Sequence, residues 1–599
     1  MPFGAALLED GRVRFRLWAP DSTRVELELE GDTAGALSMH AAESGWHELK
    51  VAQAAADTRY RFIVQVRDGA TLAVPDPASR SNPDGVHQAS AVVDARAYAW
   101  MSHEWRGRPW CEAVAYELHV GTFTEEGTFA AARRRLPALK ELGVTVLQLM
   151  PLAAFPGRRN WGYDGVLQFA PAACYGAPDE LKALIDAAHS LGLMVMLDVV
   201  YNHFGPEGNY LHAYCRQFFN PAHRTPWGAA INFDGEANAT VRDFFVHNAL
   251  FWIEEYRFDG LRLDAVHAMR DTSSPDIVRT IARALREGPG RRRHVHLVLE
   301  NNANQASYLE RGPDGEPIWA TAQWNDDAHH ALHVLTTGET DGYYADYAQA
   351  PLQKLGRALA EGFVYQGEHS QFRGARRGQP SAGLPPAAFV GFLQNHDMVG
   401  NRALGDRIDA VAGQQLLAAA YVCLLLTPEI PMLFMGEEFA ASTPFPYFCD
   451  FGPELAQSVS DGRRREFERF AAFAAARIPD PNAEATFLSA KLQWDERERP
   501  PHALRLALVR ELLTLRRQHL VPLLAALKHG GYFSVEGSVL RAGWGTAAGA
   551  AWHLLAHFGT EALHSALPTG EVIFTLGVSD SSKSRVLLEP GAAAVTMVR

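Results

Sequence analysis

The stretch FDGLRLDAVH, residues 258–267, sets Arg262 and Asp264 two positions apart in a run that is otherwise nearly all apolar. In a strand, side chains two apart share a face, so the cation and the anion point the same way. An apolar strand ending in a polar tip recurs along the chain: VAYELHVGTF (114–123), VTVLQLMPL (144–152), LMVMLDVVYNH (193–203), HVHLVLENN (294–302), WATAQWNDD (319–327), FVGFLQNHD (389–397) and IPMLFMGEEF (430–439). With GLRLDAVH these make eight. Amphipathic helical segments lie between several of them, at 128–143, 178–192, 240–256 and 276–288. Near-continuous apolar strands alternating with helices predict a parallel sheet covered on its outside, and eight units predict a closed (β/α)8 TIM barrel.

Outside this core the rhythm changes. Residues 1–100 alternate apolar and polar side chains (Val13, Phe15, Leu17; Val25, Leu27, Leu29) around the turn Pro20-Asp21-Ser22, and read as an N-terminal β-sandwich. The barrel is assigned to 101–519, with 504–519 as its last helix and a short loop excursion at 204–236. Residues 520–599 return to short strands and glycine turns, as a C-terminal β-domain.

The chain has 599 residues, 47% hydrophobic and 21% charged, with a formal net charge of -13. That charge argues against nucleic acid or an anionic membrane as partner, since both demand clustered positive charge. Five widely spaced cysteines with no CxxC pair suit reduced thiols in a cytosol. No start of secretory type and no run of eighteen apolar residues occurs, so a cytoplasmic protein is expected.

Active sites of such barrels lie at the C-terminal strand ends. Asp198 and His203, Arg262 and Asp264, Glu300, Asp326 and Asp327, and His396 and Asp397 end five successive strands. Each alone reads as a cap or a surface acid; together, like charges crowded on one rim oppose folding unless function maintains them. A metal centre is the lesser reading: His294 and His296 open their strand and belong to the far rim, and the acids of the excursion (Glu207, Asp234, Glu236) are too sparse for a calcium cage. No cofactor or metal is expected. Glycoside cleavage with retention uses one carboxylate to attack the anomeric carbon and another, kept protonated, to release the leaving oxygen. Asp264 and Glu300 suit that pair, with Arg262 holding the attacking aspartate anionic.

DVVYNH (198–203), GLRLDAVH (260–267), LVLENN (297–302) and FLQNHD (392–397) resemble, in order, the four signature segments of the α-amylase superfamily of retaining glycoside hydrolases. The resemblance implies Asp264 as nucleophile, Glu300 as general acid/base and Asp397 as the third carboxylate. It also implies His203, His396 and the stacking Tyr163 beside the reacting sugar. VGTFTEEGTF (120–129), NWGYDG (160–165), YNHFGPEGNYL (201–211), QWNDDAHHALHVLTTGE (323–339), VYQGEHSQFRG (364–374) and LQNHDMVGNRALGDR (393–407) are similar to the maltooligosyltrehalose trehalohydrolase family, in which a β-sandwich precedes the barrel. This implies maltooligosyltrehalose and related α-glucan oligosaccharides as substrates, release of trehalose, and functional pairing with a trehalose-forming, glucan synthase-type enzyme.

A trehalose leaving group has hydroxyls and no reducing end, so acceptors are needed beyond the scissile bond. Asn325, Asp326 and Asp327 of WNDD are the candidates, with helix capping as the alternative for the aspartates. Arg262, His267 and Asn401 complete the expected substrate-binding set, and Trp161 reads equally as a sugar platform or as core. Glu437-Glu438 reads as loop scaffolding. The rival readings are a glycogen branching or debranching enzyme, which shares the three carboxylates, and a non-catalytic glucan-binding barrel, which predicts the loss of at least one of them.

Overall fold

A computed structural model of the chain describes residues 1–31, 35–225, 227–467, 478–582 and 585–599. Eight parallel strands close into a barrel: β1 (Ala115–Leu118), β2 (Val146–Leu149), β3 (Met194–Val199), β4 (Gly260–Leu263), β5 (His296–Leu299), β6 (Ala322–Trp324), β7 (Phe389–Phe392) and β8 (Ile430–Phe434), with β8 paired back to β1. Each lies within one of the eight stretches expected from the sequence. The barrel strands are buried from end to end, which is why they read as apolar runs rather than as alternations.

The lumen is filled by Ala115, Val146, Met194, Met196, Val298, Ala322, Val390, Ile430 and Met432, with Trp324 and Phe392 as its largest members. It is a packed core and not a channel. Gly260 opens β4 for a steric reason: a Cβ there would stand 2.4 Å from the His296 carbonyl oxygen, so any side chain would push β4 off β5.

Helices occupy the four segments expected between the strands. α1 (Phe129–Leu142) is capped by Thr128, whose hydroxyl accepts from the Ala131 amide, and ends at Gly143 with φ 109°. α2 (Pro178–Ser190) starts on a proline, α3 (Asn238–Glu254) packs on α4 (Ile277–Glu287), and Asp276 caps α4. α5 (Asp326–Thr337) follows β6 directly, and α6 (Pro351–Glu361) lies against it. After α7 (Gln414–Leu425), α8 (His502–Leu515) runs into a π-helical turn at Arg516–Leu520.

Two antiparallel sheets precede the barrel, built from strands between Ala6 and Ala91. They pack on α3 through Phe3 against Phe244 and through the Arg80–Glu255 ion pair. They touch the 204–236 excursion through Asp21 and Arg216. A six-stranded antiparallel sheet follows the barrel and leans on α6 and α7, where Trp552 donates to the Leu426 carbonyl.

Candidate active site

The C-terminal ends of β3, β4 and β5 converge on one side chain. Arg262 is fully buried, its guanidinium 4.1 Å above the Trp324 ring that roofs the lumen core. Nη1 donates to Asp198 Oδ2 at 2.7 Å and to Asp264 Oδ1 at 2.9 Å, and Nη2 stands 3.3 Å from Glu300 Oε2. Three carboxylates from three adjacent strands thus share one cation. Beyond Asp264 the chain turns through Ala265 at φ 41°, a strained conformation for alanine, which aims the Ala265 amide at Glu300 Oε2, 2.6 Å away. Asn202 donates to the other Asp264 oxygen, Oδ2, at 2.8 Å.

Burial dominates the electrostatics. It pushes Glu300 up to about 8, with Asp264, Asp397 and Asp326 adding to the rise and Arg262 opposing it. Asp198 is likewise lifted by burial to about 7, against the pull of Arg262. Burial opposes a charge on His396, but Asp397 and Glu117 outweigh it and raise that imidazole to about 9. Desolvation takes buried His203 and half-buried His267 the other way, His267 to about 4. The rim therefore holds a protonated carboxyl on Glu300 and a charged imidazole on His396 at neutral pH.

Around this centre, Tyr163 donates to Asp198 Oδ2 at 2.7 Å and stacks on His396 with ring centres 4.9 Å apart. His396 Nδ1 donates to Glu117 Oε1 at 2.7 Å, and Nε2 lies 3.5 Å from Asp397. Asn401 Nδ2 donates to Asp397 Oδ1 at 3.1 Å. His203 stacks on the half-exposed Trp227 of the excursion. A cavity of about 190 Å³ lies beside Glu300, bordered also by Asn302, Asp326, Asp397, Met398 and Asn401. Among the described residues, no group of three or more His, Cys, Asp or Glu is placed to hold a metal ion. Asp234 bonds Asn220 and Thr272, and Glu207 accepts from the Gly452 amide.

Three of the expected binding residues need correction. Asn325 is fully buried: its oxygen caps α5 by accepting from the Ala328 amide, and its Nδ2 donates to the Gly362 carbonyl and to Glu429. It has no group left for a sugar, and it takes the capping role weighed for the aspartates. Asp327 is buried as well; Oδ2 accepts from Asn304 and from the Val364 and Tyr365 amides, while Oδ1 meets Tyr347 and Arg377. Arg262 lies beneath the carboxylates, shielded from substrate. Trp161 is core, stacked on Phe445 at 5.3 Å and 4% exposed. Asp326 does border the cavity, its carboxyl lifted by burial to about 6.

Aligned along its length, the chain is 43% identical over 518 residues to the malto-oligosyltrehalose trehalohydrolase of Deinococcus radiodurans, covering 86% of this chain and 83% of that one. It belongs to the malto-oligosyltrehalose trehalohydrolase family. The family member of Rhizobium sp. (strain M-11) is 41% identical, covering 86% of each chain. The α-amylase catalytic domain model matches residues 75–248, and carbohydrate-binding module 48, the isoamylase N-terminal domain, matches residues 2–79. A solved Salmonella typhimurium protein with a provisional α-amylase assignment superposes with TM-score 0.93 at 43% identity, covering 100% of this chain and 99% of that one.

In this trehalohydrolase-family chain, sequence reasoning missed Glu117, which sits fully buried at the end of β1 and binds both the Nδ1 and the backbone amide of His396. Its one signal was an acid inside the apolar run VAYELHV. Asn202 was likewise passed over, although it neighbours His203 in the same segment.

Proposed function

We propose that the chain is a retaining glycoside hydrolase that cleaves the α-1,4-glucosidic bond next to the terminal trehalose of maltooligosyltrehalose and releases trehalose. What carries the reading is Arg262 holding Asp264 and Glu300 together on one guanidinium, at the rim of a barrel in a chain of the trehalohydrolase family. Asp264 attacks the anomeric carbon while Glu300, protonated because burial lifts its pKa to about 8, gives its proton to the glycosidic oxygen. Trehalose leaves with that proton, and the glycosyl group stays as an ester on Asp264. Glu300, now a carboxylate, takes a proton from water as the water opens the ester, which restores both groups.

Asp397, oriented by Asn401 and His396, accepts sugar hydroxyls as positive charge develops on the ring. Tyr163 lies against the same sugar, and His203, His267 and Asp326 line its approach. The reading takes residues 1–100 as a carbohydrate-binding-module-like unit, 101–519 as the catalytic barrel and 520–599 as a covering β-domain. An enzyme that builds the trehalose terminus on an α-glucan must supply the substrate, which pairs the two functions, and the five free cysteines support a cytosolic setting. No helix among the described residues is long and apolar enough to cross a membrane.

Product analysis on maltooligosyltrehalose is the test. Free trehalose and a maltooligosaccharide shortened by that unit are expected. New α-1,6 branches in amylose, or release of α-1,6 side chains without trehalose, would replace this reading with the branching or debranching one.

A further inference from the structure

Between α6 and β7 the chain makes a strap, residues 364–377, that closing the barrel does not require. Its tip carries Phe372, 55% exposed, and Arg373, and both border the cavity beside Glu300. Exposed loop tips ordinarily have few anchors and move. This one is fastened from beneath by two buried acids. At the root, Asp327 accepts from the Val364 and Tyr365 amides at 2.7 and 3.1 Å and pairs with Arg377 at 2.9 Å; Arg377 Nε in turn donates to the Asn302 carbonyl at 2.7 Å. The root is thereby tied to the segment that follows Glu300. At the tip, Asp346 accepts from the Phe372 amide at 3.0 Å and from the Ser370 hydroxyl.

The cavity has a direction. Glu300 protonates the leaving oxygen, and the cavity is bordered by Glu300 and Asp326 but not by Asp264, Tyr163 or His203, with Asp397 as the border it shares with the reacting ring, so it lies on the leaving-group side. We propose that Asp327 and Asp346 are positioning residues that hold the strap as a fixed wall for the departing disaccharide, and so favour trehalose over maltose as leaving group. This rests on the functional reading above. The 1,1 linkage of trehalose bends the second ring away from the line of the α-1,4 chain. A wall preset for that bend gains by having no loop to order on binding.

The experiment compares maltooligosyltrehalose with a maltooligosaccharide of equal ring number and with nitrophenyl α-maltoside, for wild type, Asp346→Ala and Asp346→Asn. Removing the tip anchor should lower kcat/KM for maltooligosyltrehalose by about 10 to 100-fold, the scale of an ångström-sized misplacement. The other two substrates should change by less than about threefold. Asp346→Asn keeps an acceptor for the Phe372 amide and should recover most of the loss. Equal losses on all three substrates, or an unchanged preference ratio in Asp346→Ala, would overturn the positioning role. If Asp346→Ala does not fold, Ser370→Ala carries the same ratio test, with the same outcome overturning the proposal. A wild-type enzyme that frees no trehalose would instead defeat the functional reading.

Discussion

The two ends of β4 each carry an aspartate, Asp259 fully buried and Asp264 partly so, and the two are treated in opposite ways. Asp259, just before the strand, has both carboxylate oxygens engaged: Oδ1 accepts from Trp105 Nε1 at 2.8 Å and Arg293 at 3.0 Å, and Oδ2 from His189 and the Val195 amide at 2.9 Å each. Burial would raise its pKa, but His189, Arg293 and the backbone amide outweigh that and hold it below the ordinary aspartate value. At the other end Arg262 must serve Asp198, Asp264 and Glu300 together. Asp198 Oδ1 and Arg262 Nε find no hydrogen-bond partner among the described residues. Arg262 Nη2 approaches Glu300 without hydrogen-bond alignment. A carboxylate with four donors braces a fold. Three carboxylates on one cation leave one of them protonated and ready to give its proton away.

The largest expected effect tests the frustrated end. Asp264→Asn should lower turnover by on the order of 10⁴-fold or more on both maltooligosyltrehalose and nitrophenyl maltoside, because attack itself fails. Substantial surviving turnover on either would exclude Asp264 as nucleophile.

Glu300→Gln should cost about 10² to 10⁴-fold on the natural substrate and much less on the nitrophenyl glycoside, whose leaving group needs no proton. The same carboxyl predicts a pH dependence. Its raised pKa keeps it protonated through neutral pH, so wild-type kcat/KM should decline as pH rises through about 8. That limb should vanish in Glu300→Gln, and its persistence there would assign it to another group.

The satisfied end predicts damage of another kind. Asp259→Asn leaves Arg293 and His189 without their anion and should destabilise the fold by about 3 to 5 kcal/mol in chemical denaturation. The folded fraction should keep its kcat within about twofold, since Asp259 is far from the reacting atoms. A catalytic loss without a stability loss would erase the contrast between the two ends. Smallest of the four, Tyr163→Phe removes the hydroxyl on Asp198 but keeps the ring stacked on His396, and should cost about tenfold in kcat/KM, near 1.4 kcal/mol. A larger loss would mean that Asp198, and not the ring stack, sets the register of the site.

Much of this was legible beforehand for local reasons. Each barrel strand is short, apolar and followed by a polar tip, and helix limits are set by caps such as Thr128 and Asp276 that act within three residues. The carboxylates of β4, β5 and β7 could be placed on one rim because chain direction sends the C-terminal ends of parallel strands there, while the resemblance singled out Asp397 among the other rim acids. The misreadings share a cause. Asn325, Asp326 and Asp327 are adjacent, yet one caps a helix, one borders the cavity and one fastens a strap whose amides lie nearly forty positions away. Glu437 and Glu438, which read locally as loop scaffolding, are fully buried acids lifted by burial to about 8 and about 7; Glu437 accepts from the Phe434 amide and Glu438 from Tyr116.

From its residues alone, then, this chain determined the alternation of strand and helix, the rim on which its acids gather, and the residue types that meet there, because these depend on periodicity and chain direction. Only the folded molecule decided which acid is saturated with donors and which is starved of them. That depends on partners brought from distant segments into a space closed to water, where each missing hydrogen bond shifts a proton.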